Sequence, residues 1–167
     1  MRHDPDSTRG GSANLFLTYA PHLSWRHVRV TAQRRAVDWA LAMRDLVEVQ
    51  FPAAERIIVV LDNRNTHRIS SLYTAFPAPI ARRIAERLTL CYTPKRGSWL
   101  NLAEAEISVL KGQCLDRRIP DRATLEREIA AWEAVRNTVA APADWQFTID
   151  DARSHLARIY PVPICDS

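Results

Sequence analysis

Lysine is nearly absent from this 167-residue chain: Lys95 and Lys111 are the only two among 23 basic residues, and arginine supplies the rest. With a net charge of +4, the arginine excess admits a nucleic-acid partner without requiring one. A GC-rich coding sequence would produce the same bias. Cysteine is also scarce. Cys91, Cys114 and Cys165 are odd in number, widely spaced and contain no C-x-x-C pair. That excludes a disulfide framework or a cysteine zinc site and predicts reduced, mostly buried thiols. The five histidines never fall at H-x-x-x-H spacing, which argues against a histidine-rich metal site. No run of eighteen apolar residues occurs, so no transmembrane helix is expected. The first twenty residues lack the apolar centre of a signal peptide. A cytoplasmic protein with no membrane partner is the resulting expectation.

What is present suits a single domain with a core of its own: 47% of residues are apolar and 25% charged. Residues 1–12 are polar and linker-like, 13–161 form the domain, and 162–167 are a tail. "ANLFLTYA" (13–20) and "WRHVRVT" (25–31) predict a β-hairpin around the turn "PHLS". Thr31 then caps a helix over 33–50, with Val37, Leu41, Arg44 and Val49 alternating with a polar face. "RIIVVLD" (56–62) holds five aliphatic residues in a row, the mark of a strand buried on both faces. A helical region over 68–87 is broken by Pro77 and Pro79. "LTLCYT" (88–93) is a fourth strand, and helices follow over 101–117, 122–138 and 149–159. The order is that of a mixed α/β fold with a hairpin at one edge.

Two positions stand out chemically. Asp62 ends the apolar strand, where open α/β sheets place ligands, although Asp-Asn after a strand is also an ordinary turn starter. Glu104 follows Asn101 at capping-box spacing, so on spacing alone it reads as a helix-start residue. Ala103, Ile107, Leu110 and Cys114 share the expected buried face of that helix. Together the two acids suit a divalent cation: Mg2+ takes few carboxylates plus water and phosphate oxygens. Two such ions about 3.5–4 Å apart stabilise the attacking and leaving oxygens of phosphodiester chemistry. Lys95, Arg96 and Lys111 stand nearby in sequence and suit a phosphate backbone.

"VVLDNRNTH" (59–67) followed by "YTPKRGSWLNLAEAEISVLKGQCLDRR" (92–118) resembles the catalytic core of insertion-sequence transposases of the DDE superfamily, in the bacterial mariner-like group. The resemblance runs from about residue 10 to 161. In that family the second catalytic Asp ends a strand and opens a D-N-x-x-x-H segment, matched here by Asp62, Asn63 and His67. The third acid stands in S-x-x-N-x-x-E, matched by Ser98, Asn101 and Glu104. The resemblance implies a ribonuclease H-like (retroviral integrase-like) mixed sheet flanked by helices. It implies Mg2+ or Mn2+ held by Asp62 and Glu104, with Glu106 as a solvated neighbour. It implies DNA as substrate, both element ends and target, in a nucleoid-associated bacterial enzyme. His67 would sit near the metals and contact phosphate, or serve as a helix-entry residue. Trp99 would stack on DNA, or anchor its loop to the core.

The family's first acid lies on a central strand upstream of the hairpin. Asp4 and Asp6 are poor substitutes, because "MRHDPDST" has no apolar run. The chain therefore reads as N-terminally truncated, without its first central strand and without the helix-turn-helix region that recognises element ends. Inactivity of the chain alone is expected, as is a homodimer or pairing with full-length transposase. The open edges of 13–20 and 56–62 are expected to join each other antiparallel. A non-catalytic DNA-binding remnant is the alternative.

Overall fold

The computed structural model describes residues 12–62, 66–93 and 102–140. β1 (Asn14–Ala20) and β2 (Trp25–Thr31) form the expected antiparallel hairpin, with Phe16 opposite Arg29 and Leu17 opposite Val28. A 3-10 turn, Pro21–Leu23, links them, and Ser24 closes it in the left-handed region (φ 49°), its N–H donating to Pro21 O at 3.0 Å. Strand alternation sends Phe16 and Trp25 into one core, and Leu15, Leu17, Val28 and Val30 into another.

The first core is built on α1 (Ala36–Asp45), which continues as a π-helical turn over Leu46–Gln50. Its helical phase differs from the expected one. Trp39, Ala40, Met43, Leu46 and Val47 are buried, whereas Val37 and Val49 are exposed. The buried stripe at i, i+1, i+4, i+7 and i+8 includes an aromatic and an alanine, and it outcompetes the sparser valine pattern. Thr31 does not cap the helix: its hydroxyl donates to Gln33 O, and Asp38 accepts the Arg35 N–H at 2.8 Å instead.

β3 (Ile57–Leu61) and β4 (Leu88–Tyr92) pair in parallel, with Val60 opposite Cys91. The crossover carries α2 (Ser70–Ala75) and α3 (Ala78–Glu86), divided at Pro77 as expected, whereas Pro79 breaks nothing and sits in the first turn of α3, where no helical N–H partner is lost. Just before β4, Arg87 donates to the carbonyls of Val47, Phe51, Pro52 and Ala54, which ties the end of the α1 turn to the start of the sheet. Ile57, Val59, Leu61, Leu88 and Leu90 face α1–α3. Ile58 and Val60, expected to be buried, are 66% and 55% exposed, because the described elements cover a single face of this sheet. Cys91, on the same open face, is exposed, while Cys114 is buried.

The second core forms under α4 (Leu102–Leu110), its π-helical continuation Lys111–Leu115, and α5 (Arg122–Thr138). Asp121 caps α5 by accepting the Thr124 N–H at 2.8 Å. α5 also blocks the outer edge of β2. Asn137 accepts the Arg26 N–H and donates to the Arg26 carbonyl, at 2.9 and 2.8 Å, and Glu133 accepts the Val28 N–H at 2.9 Å. Exposed strand backbone invites unwanted pairing, and these side chains remove it.

The expected antiparallel joining of β1 to β3 does not occur. The sheet orders are β1-β2 and β3-β4, and the two units meet through α1, whose core receives Phe16 and Trp25 from one and Ile57, Val59 and Leu61 from the other. Side-chain packing on a shared helix therefore takes the place of a backbone ladder. The expected helix over 149–159, the linker over 1–12 except its last residue, and the tail over 162–167 lie outside the described residues.

Candidate functional site

β3 delivers Asp62 to its carboxyl end. The strand is fixed there by the Thr93 N–H, which donates to Leu61 O at 2.9 Å. One residue later the Asp62 carboxylate, 29% exposed, places Oδ1 2.9 Å from His67 Nδ1. An ionised carboxylate only accepts hydrogen bonds, so Nδ1 carries the proton in this pair. The His67 ring, 15% exposed, is held from three further elements. It stacks on Trp39 of α1 (centroids 6.0 Å, 22°) and leans against Phe16 of β1 (6.4 Å). The Tyr92 hydroxyl at the end of β4 donates to the His67 carbonyl at 2.8 Å. Asp62 thus has a positioned partner, as metal-binding and catalytic carboxylates usually do.

Glu104 occupies the first turn of α4 and is exposed. Its carbonyl accepts the Ser108 hydroxyl at 3.1 Å, and its carboxylate makes no hydrogen bond or ion pair among the described residues. Lys111 is exposed at the start of the π-helical turn on the same helix. Asn63, Lys95, Arg96, Ser98, Trp99 and Asn101 lie outside the described residues.

The expectation for Glu106 is overturned. It is 2% exposed, and its Oε1 lies 2.8 Å from Nε of Arg26, which is itself fully buried. Arg136 of α5 closes the other side, with Nη2 3.0 Å from Oε1. Two guanidiniums draw the acid inward because each buried charge here needs the others. As a result Glu106 joins Leu110 and Cys114 on the buried face of α4, while Ile107 stands 44% exposed. Sequence reading had no signal for this triad, since its members come from β2, α4 and α5. Trp39, Phe16 and Tyr92 were missed as supports of His67 for the same reason.

The structure brings Asp62 and His67 together. Between that pair and Glu104 lies β1, which contacts α4, gives Leu15 and Leu17 to the core under α4 and Phe16 to the His67 ring; no contact joins Glu104 to Asp62 or His67 among the described residues. Carboxylate oxygens are the donors that Mg2+ and Mn2+ take, so the chemistry of Asp62 and Glu104 fits such an ion. Among the described residues, no group of three or more His, Cys, Asp or Glu side chains is arranged to hold a metal. No helix among them is long and apolar enough to cross a membrane.

The described residues form a mixed α/β domain with one acid at a strand end and another in the first turn of a later helix. The family model of the DDE superfamily endonucleases matches residues 1–126, which include both acids. The chain belongs to that family. No curated protein and no solved structure matches it.

Proposed function

We propose that this chain is the catalytic domain of an insertion-sequence transposase with a ribonuclease H-like arrangement, acting on the ends of its element and on target DNA. The observation that carries this reading is the Asp62–His67 pair at the end of β3, inside a match to DDE endonucleases that also contains Glu104. Asp62 and Glu104 would hold Mg2+ or Mn2+. When bound, such ions stabilise the attacking and leaving oxygens of an in-line displacement at phosphorus.

The chain's own residues do the rest. His67 holds the Asp62 carboxylate in one orientation and is itself locked between Trp39 and Phe16. Lys111 offers a point charge to a phosphate near the end of α4, and Lys95 and Arg96 would do the same. Asn63, Ser98 and Asn101 would contact the DNA, and Trp99 would stack on it. The reaction is hydrolysis of DNA at the element ends, followed by attack of the freed 3′-hydroxyl on target DNA.

We further propose that the chain by itself is inactive. Among the described residues no group of three or more His, Cys, Asp or Glu side chains is arranged to hold a metal, and the loss of one metal-holding carboxylate would give up several kcal/mol of transition-state stabilisation. Plasmid nicking in Mg2+ or Mn2+ tests both proposals. No nicking, together with Mn2+ binding that is lost in Asp62→Asn and in Glu104→Gln, is the expected result. Nicking abolished by Asp62→Ala would refute inactivity while keeping the enzyme reading.

The absence of a three-member ligand group among the described residues favours one alternative, a non-catalytic DNA-binding protein that associates with itself or with a full-length transposase. Salt-sensitive DNA binding that is unchanged in Asp62→Asn and Glu104→Gln, with no Mn2+ binding, would establish it.

A further inference from the structure

Two faces of α4 compete for the interior. Ala103, Ile107 and Leu110 form the apolar one, yet the helix buries Glu106 and Leu110 and leaves Ile107 44% exposed. At about 100° per residue, the two choices differ by a turn of about 45° around the helix axis. A side-chain tip about 5.5 Å from that axis moves about 4 Å in such a turn. Metal-holding groups need placement to within about 0.5 Å, so the rotation of α4 decides where Glu104 stands.

The apolar face loses because Glu106 is gripped from two other elements. Arg26 of β2 places Nε 2.8 Å from Oε1. Arg136 of α5 adds a fork, its Nε donating to Oε1 at 3.2 Å and its Nη2 to Oε2 at 3.3 Å. Each guanidinium is itself braced. Asn137 bonds the backbone N–H and carbonyl of Arg26, whose guanidinium lies over Tyr19, and the Arg136 guanidinium lies over Trp132. Turning Ile107 inward would draw the carboxylate off both partners and strand buried charge, which costs more than burying one isoleucine gains.

We propose that Arg26 and Arg136 are positioning residues for Glu104: through Glu106 they lock the rotation of α4 and fix the direction in which Glu104 leaves the helix. Residues two apart on a helix point about 200° from each other, so the grip on the inner acid holds the outer one toward solvent. The positioning role rests on the reading that Glu104 and Asp62 share a cation.

Hydroxyl-radical footprinting of the full chain, read by peptide mass spectrometry, tests the lock. Arg26→Met with Glu106→Gln and Arg136→Met removes all three charges together, which leaves no member of the triad charged and unpaired. Oxidation of Ile107 should fall about two-fold or more, while that of Val109, half-buried on the opposite flank, rises. A merely loosened helix would raise both, and an unturned one would change neither. Either result overturns the proposal.

Mn2+ affinity, from titration calorimetry, should fall about ten-fold in the same variant. An unchanged affinity beside the opposed oxidation changes would overturn the positioning role. If the wild-type chain binds no Mn2+, the shared-cation reading fails instead, and the oxidation pattern alone decides the lock. If the triple variant does not fold, Arg136→Met takes its place. Ile107 and Val109 should again shift in opposite senses, and unchanged or parallel oxidation there would overturn the proposal.

Discussion

Arg26 Nε and Glu106 Oε1 lie 2.8 Å apart with both side chains removed from solvent, and this contact joins the hairpin to α4. Arg136 adds α5 to the same acid, and Arg26 further rests over the Tyr19 ring, its guanidinium carbon 5.2 Å from the centroid. Glu106→Gln removes the charge that the buried Arg26 guanidinium and the partly buried Arg136 guanidinium share. The expected cost is about 3–5 kcal/mol of stability, read by urea denaturation. Glu104→Gln, two residues earlier but exposed, should change stability by no more than about 0.5 kcal/mol. The pair of variants separates the structural acid from the proposed metal ligand.

That contrast shows which features the sequence made legible. Hairpin, crossover and proline break follow from local signals: two-residue alternation, an aliphatic run and Pro77, and α5 was placed as well. They appear in the structure within a residue or two of the expected limits. The position of Asp62 at the end of β3 was legible because an acid after five aliphatic residues breaks a strong pattern. Glu106 was not, because its burial depends on Arg26, eighty positions earlier, and on Arg136. The phase of α1 was missed because Trp39 and Ala40 are buried by strands from both sheets, and no window of local sequence contains that information. The sheet pairing was misjudged for a related reason: the choice between a β1–β3 ladder and packing on α1 is made by tertiary contacts.

His67 should act on Asp62 and not on the fold as a whole. His67→Phe keeps a ring between Trp39 and Phe16 but removes the 2.9 Å bond to Asp62. Mn2+ affinity, measured by titration calorimetry, should fall about 10- to 100-fold, with the circular dichroism spectrum preserved. An unchanged affinity would remove His67 from the site.

His27 makes stability depend on pH. Its Nδ1 is 3.0 Å from Glu133 of α5 and its Nε2 is 3.3 Å from Asp45 of α1, with Trp25 stacked beside it and Arg29 on the same strand. The hydrogen bond to Glu133 raises its pKa above the ordinary 6.5, assisted by the charges of Glu133 and Asp45 and opposed by burial and by Arg29. Because the folded value is the higher one, the stabilisation is complete below pH 6.5 and disappears as pH rises through the folded pKa. Unfolding free energy measured across this range should fall with increasing pH, and His27→Gln should flatten that slope.

Arg87 holds the α1 turn to the sheet through four carbonyls. Arg87→Lys keeps the charge but cannot reproduce the planar fork. A loss of about 1–3 kcal/mol is expected from carbonyls left without donors. Hydrogen exchange should show the increased opening around residues 51–57 in particular.

The proposed chemistry requires a cation shared by the end of β3 and the first turn of α4. Hydroxyl-radical cleavage by Fe2+ and ascorbate, mapped by mass spectrometry on the folded chain, tests it most directly. Backbone cuts should appear near both Asp62 and Glu104, both should be suppressed by excess Mg2+, and both should disappear in Asp62→Asn alone. Cuts at one position only, or cuts near Glu104 that persist in Asp62→Asn, would contradict it.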